Sequence, residues 1–140
     1  MHHLKRLRTA IFCTLLAAGA SVHAAAQRNP ASDVVPDAFE HHRSGQQITV
    51  QGAVVRTLAD DRDGSRHQRF IIRADSGATM LVAHNIDLAP RLDGLKTGDR
   101  LTLVGEYEWN ARGGLLHWTH HDPSQRHRAG YIDWKGRRYQ

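Results

Sequence analysis

Residues 100–121, which read RLTLVGEYEWNARGGLLHWTHH, decide the predicted fold. Apolar and polar residues alternate from Arg100 to Trp109, and again from Leu115 to His121, as expected of two β-strands. The NARGG stretch between them is rich in residues that favour turns. The segment therefore predicts a β-hairpin with one face toward a core and the other toward solvent or a ligand.

The residues before this hairpin predict three more strands. Residues 67–73 and 79–85 flank Asp75-Ser76-Gly77, which is a good hairpin signal, and residues 48–58 predict a strand upstream. Residues 86–96 predict a short helix or helical turn, broken near a proline. We therefore predict an all-β fold, a small five-stranded OB-like barrel with a short helical connection between strands 3 and 4. Other small barrels are the alternative.

The first residues predict export. Three basic residues precede an apolar run, residues 9–20, and Val22-His23-Ala24 then supplies the small residues of a cleavage site. The run is too short to span a bilayer as a helix. We predict a signal peptide over residues 1–24, with cleavage after Ala26 as the alternative. The mature protein is then periplasmic or extracellular, without a membrane span.

The mature chain is predicted to hold one domain. Residues 25–46 predict a flexible lead with a short helix from Pro36 to His42, and residues 47–140 predict the single OB-like barrel domain. Within it, residues 130–140 suggest an added strand pair about Lys135-Gly136. The only cysteine lies in the signal segment, so the mature domain has no disulfide. The formal net charge of +5 includes three signal-peptide cations, so charge alone does not indicate a general polyanion-binding surface.

Strand alternation groups the titratable side chains of residues 100–121. If the turn has two or four residues, Glu106 or Glu108 lies opposite His117. One predicted face then carries Glu106, Glu108, His117, Thr119 and His121, and the other carries Leu103, Tyr107, Leu116 and Trp118. An odd-length turn would exchange the faces of the second strand. The even-length arrangement is preferred because it keeps Trp118 with the apolar residues.

The earlier hairpin adds further polar residues to the same predicted cleft. A two-residue turn at Ser76-Gly77 would place Arg69 opposite His84, with His67 on the same side. The predicted catalytic residues are His117, Glu106, His84 and Arg69. The predicted ligand-binding residues are Arg69, His67, Arg91, Glu108 and Asn85, and the predicted metal ligands are His117, His120, His121 and Asp122. The alternative is that these faces are merely solvated.

Several strings in the chain resemble one known family. They are HNIDLAPR at residues 84–91, GEYEWN at residues 105–110 and HWTHHDP at residues 117–123. The chain is similar over nearly all its mature length to small exported bacterial proteins known as domain of unknown function family 3465. The resemblance implies export and a single domain, but it supplies no activity.

Three classes of function fit these residues. The favoured class is an exported small binding domain with a His/Glu/Arg-lined cleft for a polyanionic or sugar-like ligand, nucleic acid included. The first alternative is a small secreted hydrolase of phosphodiesterase or nuclease type, in which a histidine or a metal activates water. The second is a transition-metal-binding protein, with a divalent metal such as zinc, copper or nickel as cofactor. Binding is favoured because the chain contains no complete catalytic template.

Overall fold

A computed structural model describes residues 34–140; the predicted signal peptide and residues 25–33 of the lead lie outside them. The described chain contains one α-helix and seven β-strands. They are α1 (Val34–Glu40), β1 (Gln46–Thr57), β2 (His67–Ala74), β3 (Thr79–Asn85), β4 (Arg100–Glu108), β5 (Leu115–His117), β6 (Tyr131–Trp134) and β7 (Arg137–Tyr139). Across residues 34–140, no helix has the length and apolar character needed to cross a membrane.

Strands β1 to β5 form a closed barrel. Their order is β1-β2-β3-β5-β4, and β4 pairs again with β1 to close it. Strands β3 and β5 are parallel over only two residue pairs, Leu81–Leu115 and Val82–Leu116. The other neighbouring strands of the barrel are antiparallel. This Greek-key arrangement confirms the predicted all-β, five-stranded OB-like barrel.

Alternating residues of the strands fill the barrel. In β4 the residues Leu101, Leu103 and Tyr107 are buried, whereas their neighbours in sequence are partly exposed. The Tyr107 hydroxyl donates a hydrogen bond to the Gly113 carbonyl at 3.2 Å. A Cβ atom on Gly114 would lie 2.3 Å from the Tyr107 ring, so the β4–β5 turn requires glycine there. The turn is thus held against the core by one aromatic side chain.

Helix α1 is packed on the barrel near the start of β1. Val35 and Ala38 are buried and belong to the main hydrophobic core. The described helix, Val34–Glu40, includes the predicted start at Pro36. The predicted short helix is therefore present, and it packs against the core of the barrel.

The connection between β3 and β4 consists of turns, so of the two predicted forms, a short helix or a helical turn, the structure has the helical turn. The Ala89 N–H donates to the Asn85 carbonyl at 3.2 Å, which closes a single helical turn that Pro90 ends. Beyond it, the Gln68 amide bonds both backbone groups of Leu92, at 2.9 and 3.0 Å. Leu92 is thereby held in the core, so this segment closes the barrel without a helix.

Strands β6 and β7 extend the sheet beyond the barrel. They form a hairpin about Lys135 and Gly136, whose φ angles of 49° and 74° match a type I′ turn. Strand β6 pairs with the first half of β4, and β5 pairs with the second half. Trp134 and Tyr139 are buried with ring centroids 6.0 Å apart. The predicted C-terminal strand pair is confirmed.

Candidate functional site

The pairing of β4 with β5 brings two glutamates beside a histidine on the outside of the barrel. Glu106 lies directly opposite His117, which is one of the two pairings that the sequence predicts, although the connection, residues 109–114, is longer than the predicted two or four residues. The His117 Nε2 atom lies 3.8 Å from Glu106 Oε1 and 3.8 Å from Glu108 Oε1. One ligand atom from each residue lies within 4.8 Å of the other two. We call Glu106, Glu108 and His117 the Glu/His cluster.

The His117 ring nitrogen at the centre of this cluster is unusual. Nε2 is shielded from solvent and has no hydrogen-bond partner in residues 34–140, because 3.8 Å is too long for a hydrogen bond to either carboxylate. Burial lowers the pKa of His117, although the charges of Glu106 and Glu108 oppose this effect. The imidazole is therefore neutral at pH 7 and offers its nitrogen lone pair or its proton to a further group.

His127 supports the cluster and is absent from the predicted set. Its Nδ1 atom lies 3.5 Å from Glu106 Oε2. Its ring stacks on Trp118 with centroids 3.6 Å apart and an interplanar angle of 14°. The only hint in the sequence is Asp122-Pro123, a dipeptide typical of turns, which returns the chain toward β4.

Asp122 organises that turn, so it is not a free metal ligand. Its carboxylate accepts backbone hydrogen bonds from Ser124, Arg126 and His127 at 2.8 to 3.0 Å. These hydrogen bonds hold the pKa of Asp122 below its ordinary value, and the one from Ser124 has the largest effect. His121 is exposed. Among the described residues, the Glu/His cluster is the group whose ligand atoms lie close enough together to hold one metal ion, and it shares only His117 with the predicted metal ligands His117, His120, His121 and Asp122.

The strand alternation ends at His117, and this corrects the predicted faces. Trp118 has a φ angle of 51°, which reverses the direction of the following side chains. Trp118 is only half-buried and lies on the His117 side, with ring centroids 6.2 Å apart. Thr119 and His120 are buried instead. The predicted apolar face therefore loses Trp118, and the predicted polar face loses Thr119.

His84 lies inside the barrel, separate from the cluster. The β2–β3 turn spans three residues, 75–77, with Ala74 N–H bonded to the Ala78 carbonyl and Gly77 at a φ of 91°. This odd length pairs His84 with Gln68, and not with Arg69. His84 has no exposed surface, so the predicted convergence of His84 with His117 and Glu106 in one cleft is wrong.

Both ring nitrogens of His84 have partners. Nδ1 lies 2.8 Å from Thr119 Oγ1, and Nε2 lies 3.1 Å from the Pro90 carbonyl. Burial lowers the pKa of His84 to about 4, and repulsion from His120 and His67 adds to this effect. His84 is thus a neutral, satisfied residue that links the β3–β4 connection to the segment after β5.

Two clefts lie along the outer face of β2 and β3. The smaller one, of about 230 Å³, is named the His cleft. It is lined by His67, Ala83, Asn85, His117, Trp118 and His120. The predicted residues His67, Asn85 and His117 are thus brought together, and His120 joins them. Because His117 also belongs to the Glu/His cluster, the two features adjoin.

The larger cleft, of about 430 Å³, lies at the other end of the same face and is named the Arg cleft. Arg69 and Arg112 line it, together with Asn110 and residues of β2 and β3. Among the described residues, no aspartate or glutamate lines it. Arg69 Nε donates to the Ala59 carbonyl at 3.0 Å, which fixes the side chain. Arg112 is absent from the predicted set, since nothing in a glycine-rich turn marks an arginine as functional.

Arg91 belongs to neither cleft. It forms ion pairs with Asp60 and with Asp93, the latter at 3.5 Å between Nε and Oδ1. The pair with Asp60 connects the β3–β4 segment to the β1–β2 loop. The predicted ligand-binding role of Arg91 therefore has no support from its position, because two carboxylates already neutralise its charge.

Comparison with known proteins identifies a family but no activity. Searches of the curated proteins and of the solved structures gave no match. The model of one family, described as a protein of unknown function (DUF3465), matches residues 16–140. The match spans the barrel, the Glu/His cluster and both clefts. The chain therefore belongs to the DUF3465 family of proteins of unknown function.

Proposed function

We propose that this protein is an exported binding domain that holds a polyanionic or anionic sugar-like oligomer in the Arg cleft. The observation that carries the proposal is the pairing of Arg69 and Arg112 in one cleft without a carboxylate. Two guanidinium groups on one concave surface favour phosphate, sulfate or carboxylate groups spaced along a chain. Export rests on the pattern of residues 1–24, and N-terminal sequencing, expected to begin at Ala25 or Gln27, checks it.

The position of the Arg cleft supports this function. It lies over β2 and β3, between the β1–β2 loop, which contributes Leu58, and the β4–β5 turn, which contributes Asn110 and Arg112. OB folds bind oligonucleotides and oligosaccharides on this face and with these two loops. The Arg cleft and the His cleft share the outer face of β3, through Leu81 in one and Ala83 in the other. A bound oligomer could therefore extend from the arginines toward the histidines.

A binding assay with a panel of oligomers tests the proposal. Fluorescence anisotropy would compare single-stranded DNA, single-stranded RNA, a sulfated oligosaccharide and a neutral oligosaccharide. Anionic oligomers should bind, with an affinity that falls as salt concentration rises. Arg69→Gln and Arg112→Gln should each weaken binding about tenfold, because each removes a charged contact.

Arg128→Gln is the matched control, because Arg128 is exposed and lies outside both clefts. It should change affinity less than about twofold. If it weakens binding as much as Arg69→Gln, the protein binds anions through its net charge and not through the cleft. If no oligomer of the panel binds, the proposed function is rejected.

A hydrolase is the second candidate, favoured by the three histidines of the His cleft. A neutral imidazole such as that of His117 can accept a proton from water during attack on a phosphodiester. The same oligonucleotides, incubated with the protein and separated by length, test this function. Cleavage that is lost in His117→Gln would support it, and intact oligonucleotides after long incubation would count against it.

A further inference from the structure

We propose that Glu106, Glu108 and His117 form a binding site for one divalent zinc or manganese ion on the outer face of β4 and β5. The three side chains come from two paired strands, so the backbone hydrogen bonds of the sheet set their spacing. The site is distinct from the Arg cleft, and neither depends on the other. It also differs from the ligand set that the sequence predicts, because Glu106 and Glu108 replace His120, His121 and Asp122.

The distances suit a metal ion. In tetrahedral sites with ligands about 2.1 Å from the metal, neighbouring ligand atoms lie about 3.4 Å apart. The His117 Nε2 atom lies 3.8 Å from an oxygen of each glutamate. The ligand atoms of Glu106 and Glu108 lie within 4.8 Å of each other, so side-chain movements of up to about 1 Å would bring the three atoms to this spacing.

The unpartnered nitrogen of His117 is the second reason for a metal. A polar atom that is shielded from water and lacks a partner costs free energy. Among the residues described, no donor or acceptor satisfies His117 Nε2, although two carboxylates flank it. Those carboxylates also repel each other. A single cation removes both costs, because it bonds the nitrogen and neutralises the two glutamates.

His127 is a positioning residue for this site. Its Nδ1 atom faces Glu106 Oε2, at 3.5 Å, while Glu106 Oε1 faces His117. One oxygen of the Glu106 carboxylate thus lies beside His127, and the other lies beside His117 at the proposed metal position. Such a neighbour behind a ligating carboxylate is typical of metal sites. Stacking on Trp118 fixes the ring of His127, and the Asp122 carboxylate fixes its backbone N–H.

The donor set selects the class of metal. One imidazole and two carboxylates suit zinc or manganese, whereas calcium and magnesium prefer oxygen ligands alone and Cu(I) prefers sulfur. Three protein ligands leave at least one coordination position for water or for an anionic group. The His cleft shares His117 with the site, so an anionic group in that cleft lies within reach of the metal.

Titration of metal-free protein with Zn²⁺ or Mn²⁺ alone tests the site. The protein must carry no histidine tag, and isothermal calorimetry and thermal melting would be the readouts. We expect one ion to bind per chain and the melting temperature to rise with metal concentration. Glu106→Gln, Glu108→Gln and His117→Gln should each weaken affinity at least about tenfold.

Two control variants show whether the metal binds at the Glu/His cluster or elsewhere on the surface. His121→Gln removes an exposed histidine outside the cluster and should leave metal affinity unchanged. Arg69→Gln should also leave it unchanged, so failure of the metal site and failure of oligomer binding give different results. The proposal is overturned if wild type binds neither metal, or if His121→Gln weakens binding as much as His117→Gln does.

Cobalt substitution tests the role of His127. Co²⁺ in a tetrahedral site has intense visible absorption bands that report the coordination geometry. His127→Gln should change the intensity or position of these bands, while the melting temperature of the metal-free protein stays the same. An unchanged spectrum would show that His127 does not position Glu106. A fall in the metal-free melting temperature, with the wild-type spectrum retained, would show that it serves only the fold.

Discussion

The interior of the barrel around His84 and its outer face around His117 use the same side chain in opposite ways. His84 is fully buried, and both ring nitrogens have hydrogen-bond partners. His117 keeps 28% of its side chain exposed, yet its Nε2 atom has no partner in the described chain. Burial alone would rank His84 as the more significant residue. The hydrogen-bond partners of the ring nitrogens reverse that order. Both nitrogens of His84 have partners, whereas His117 Nε2 has none in the described chain and can still bind a ligand.

The comparison shows how to separate structural histidines from functional ones in this fold. A structural histidine should carry a large part of the stability and tolerate no loss of its partners. A functional histidine should contribute little to stability in the absence of its ligand. Three measurements test this distinction, in order of decreasing expected effect.

The largest effect is expected for His84→Ala. The substitution leaves a cavity in the core and removes the partners of Thr119 Oγ1 and the Pro90 carbonyl. The free energy of unfolding should fall by about 3 kcal/mol. Urea unfolding at pH 7 measures it, with His121→Ala as an exposed control expected to cost less than about 0.5 kcal/mol. A cost for His84→Ala as small as that of the control would show that the His84 contacts do not stabilise the fold.

A smaller loss of stability is expected when the pH is lowered. The pKa of His84 is about 4 in the folded protein and 6.5 when it is unperturbed. As the pH falls below 6.5, the unfolded chain therefore takes up a proton that the folded barrel does not bind. Stability should decrease by about 2 kcal/mol between about pH 7 and about pH 4.5, and this contribution levels off below about pH 4.

Urea unfolding at several pH values measures this dependence. The lowered pKa of His117 acts in the same direction, so His84→Gln and His117→Gln must be compared. The dependence should largely disappear in His84→Gln and persist in His117→Gln. If His84→Gln keeps the full pH dependence, other groups cause it, and the neutral state of His84 does not matter for acid stability.

The smallest effect is expected for His117→Gln in metal-free protein. The substitution removes a nitrogen that has no hydrogen-bond partner in the described chain and places an amide on a half-exposed face. The free energy of unfolding should change by less than about 0.5 kcal/mol. Thermal melting beside wild type in the presence of a chelator would measure it. A loss as large as that for His84→Ala would remove the distinction between the two regions.

The barrel could be predicted because its signals are local. Alternation in residues 100–109 and the turn signal in residues 110–114 predict that Glu106 or Glu108 lies opposite His117, and the structure pairs Glu106 with it. Lys135-Gly136 likewise marks the C-terminal hairpin, where both residues adopt positive φ angles. In these segments each residue preference agrees with the final fold, so the pattern is sufficient.

The position of His84 could not be predicted, because one residue in a turn decides it. Ser76-Gly77 fits a two-residue turn, but Gly77 fits equally well as the left-handed residue of a three-residue turn. Since side chains alternate, this difference of one residue moves His84 from the cleft to the interior. The connection between β3 and β4 is a similar case, because its leucines suit a helix that Pro90 and the turns after it prevent.

The support of Glu106 by His127 depends on features that leave no local pattern. Trp118 adopts a positive φ angle without being glycine, asparagine or aspartate, and such a position has no sequence signature. The approach of His127 to Glu106 joins residues far apart in the chain. Only the folded path of residues 118–130 brings them together.

The short parallel pairing of β3 with β5 has a consequence for the motions of the barrel. Only two residue pairs join these strands, whereas β1 and β4 pair along the whole stretch from Gln46–Tyr107 to Ala53–Arg100. Amide hydrogen exchange should therefore be fastest at this seam, where the fewest bonds must break for local opening. The His cleft lies across it, with Asn85 on one side and His117 on the other. A ligand that contacts both residues would slow that opening, and so bind most tightly to the closed barrel.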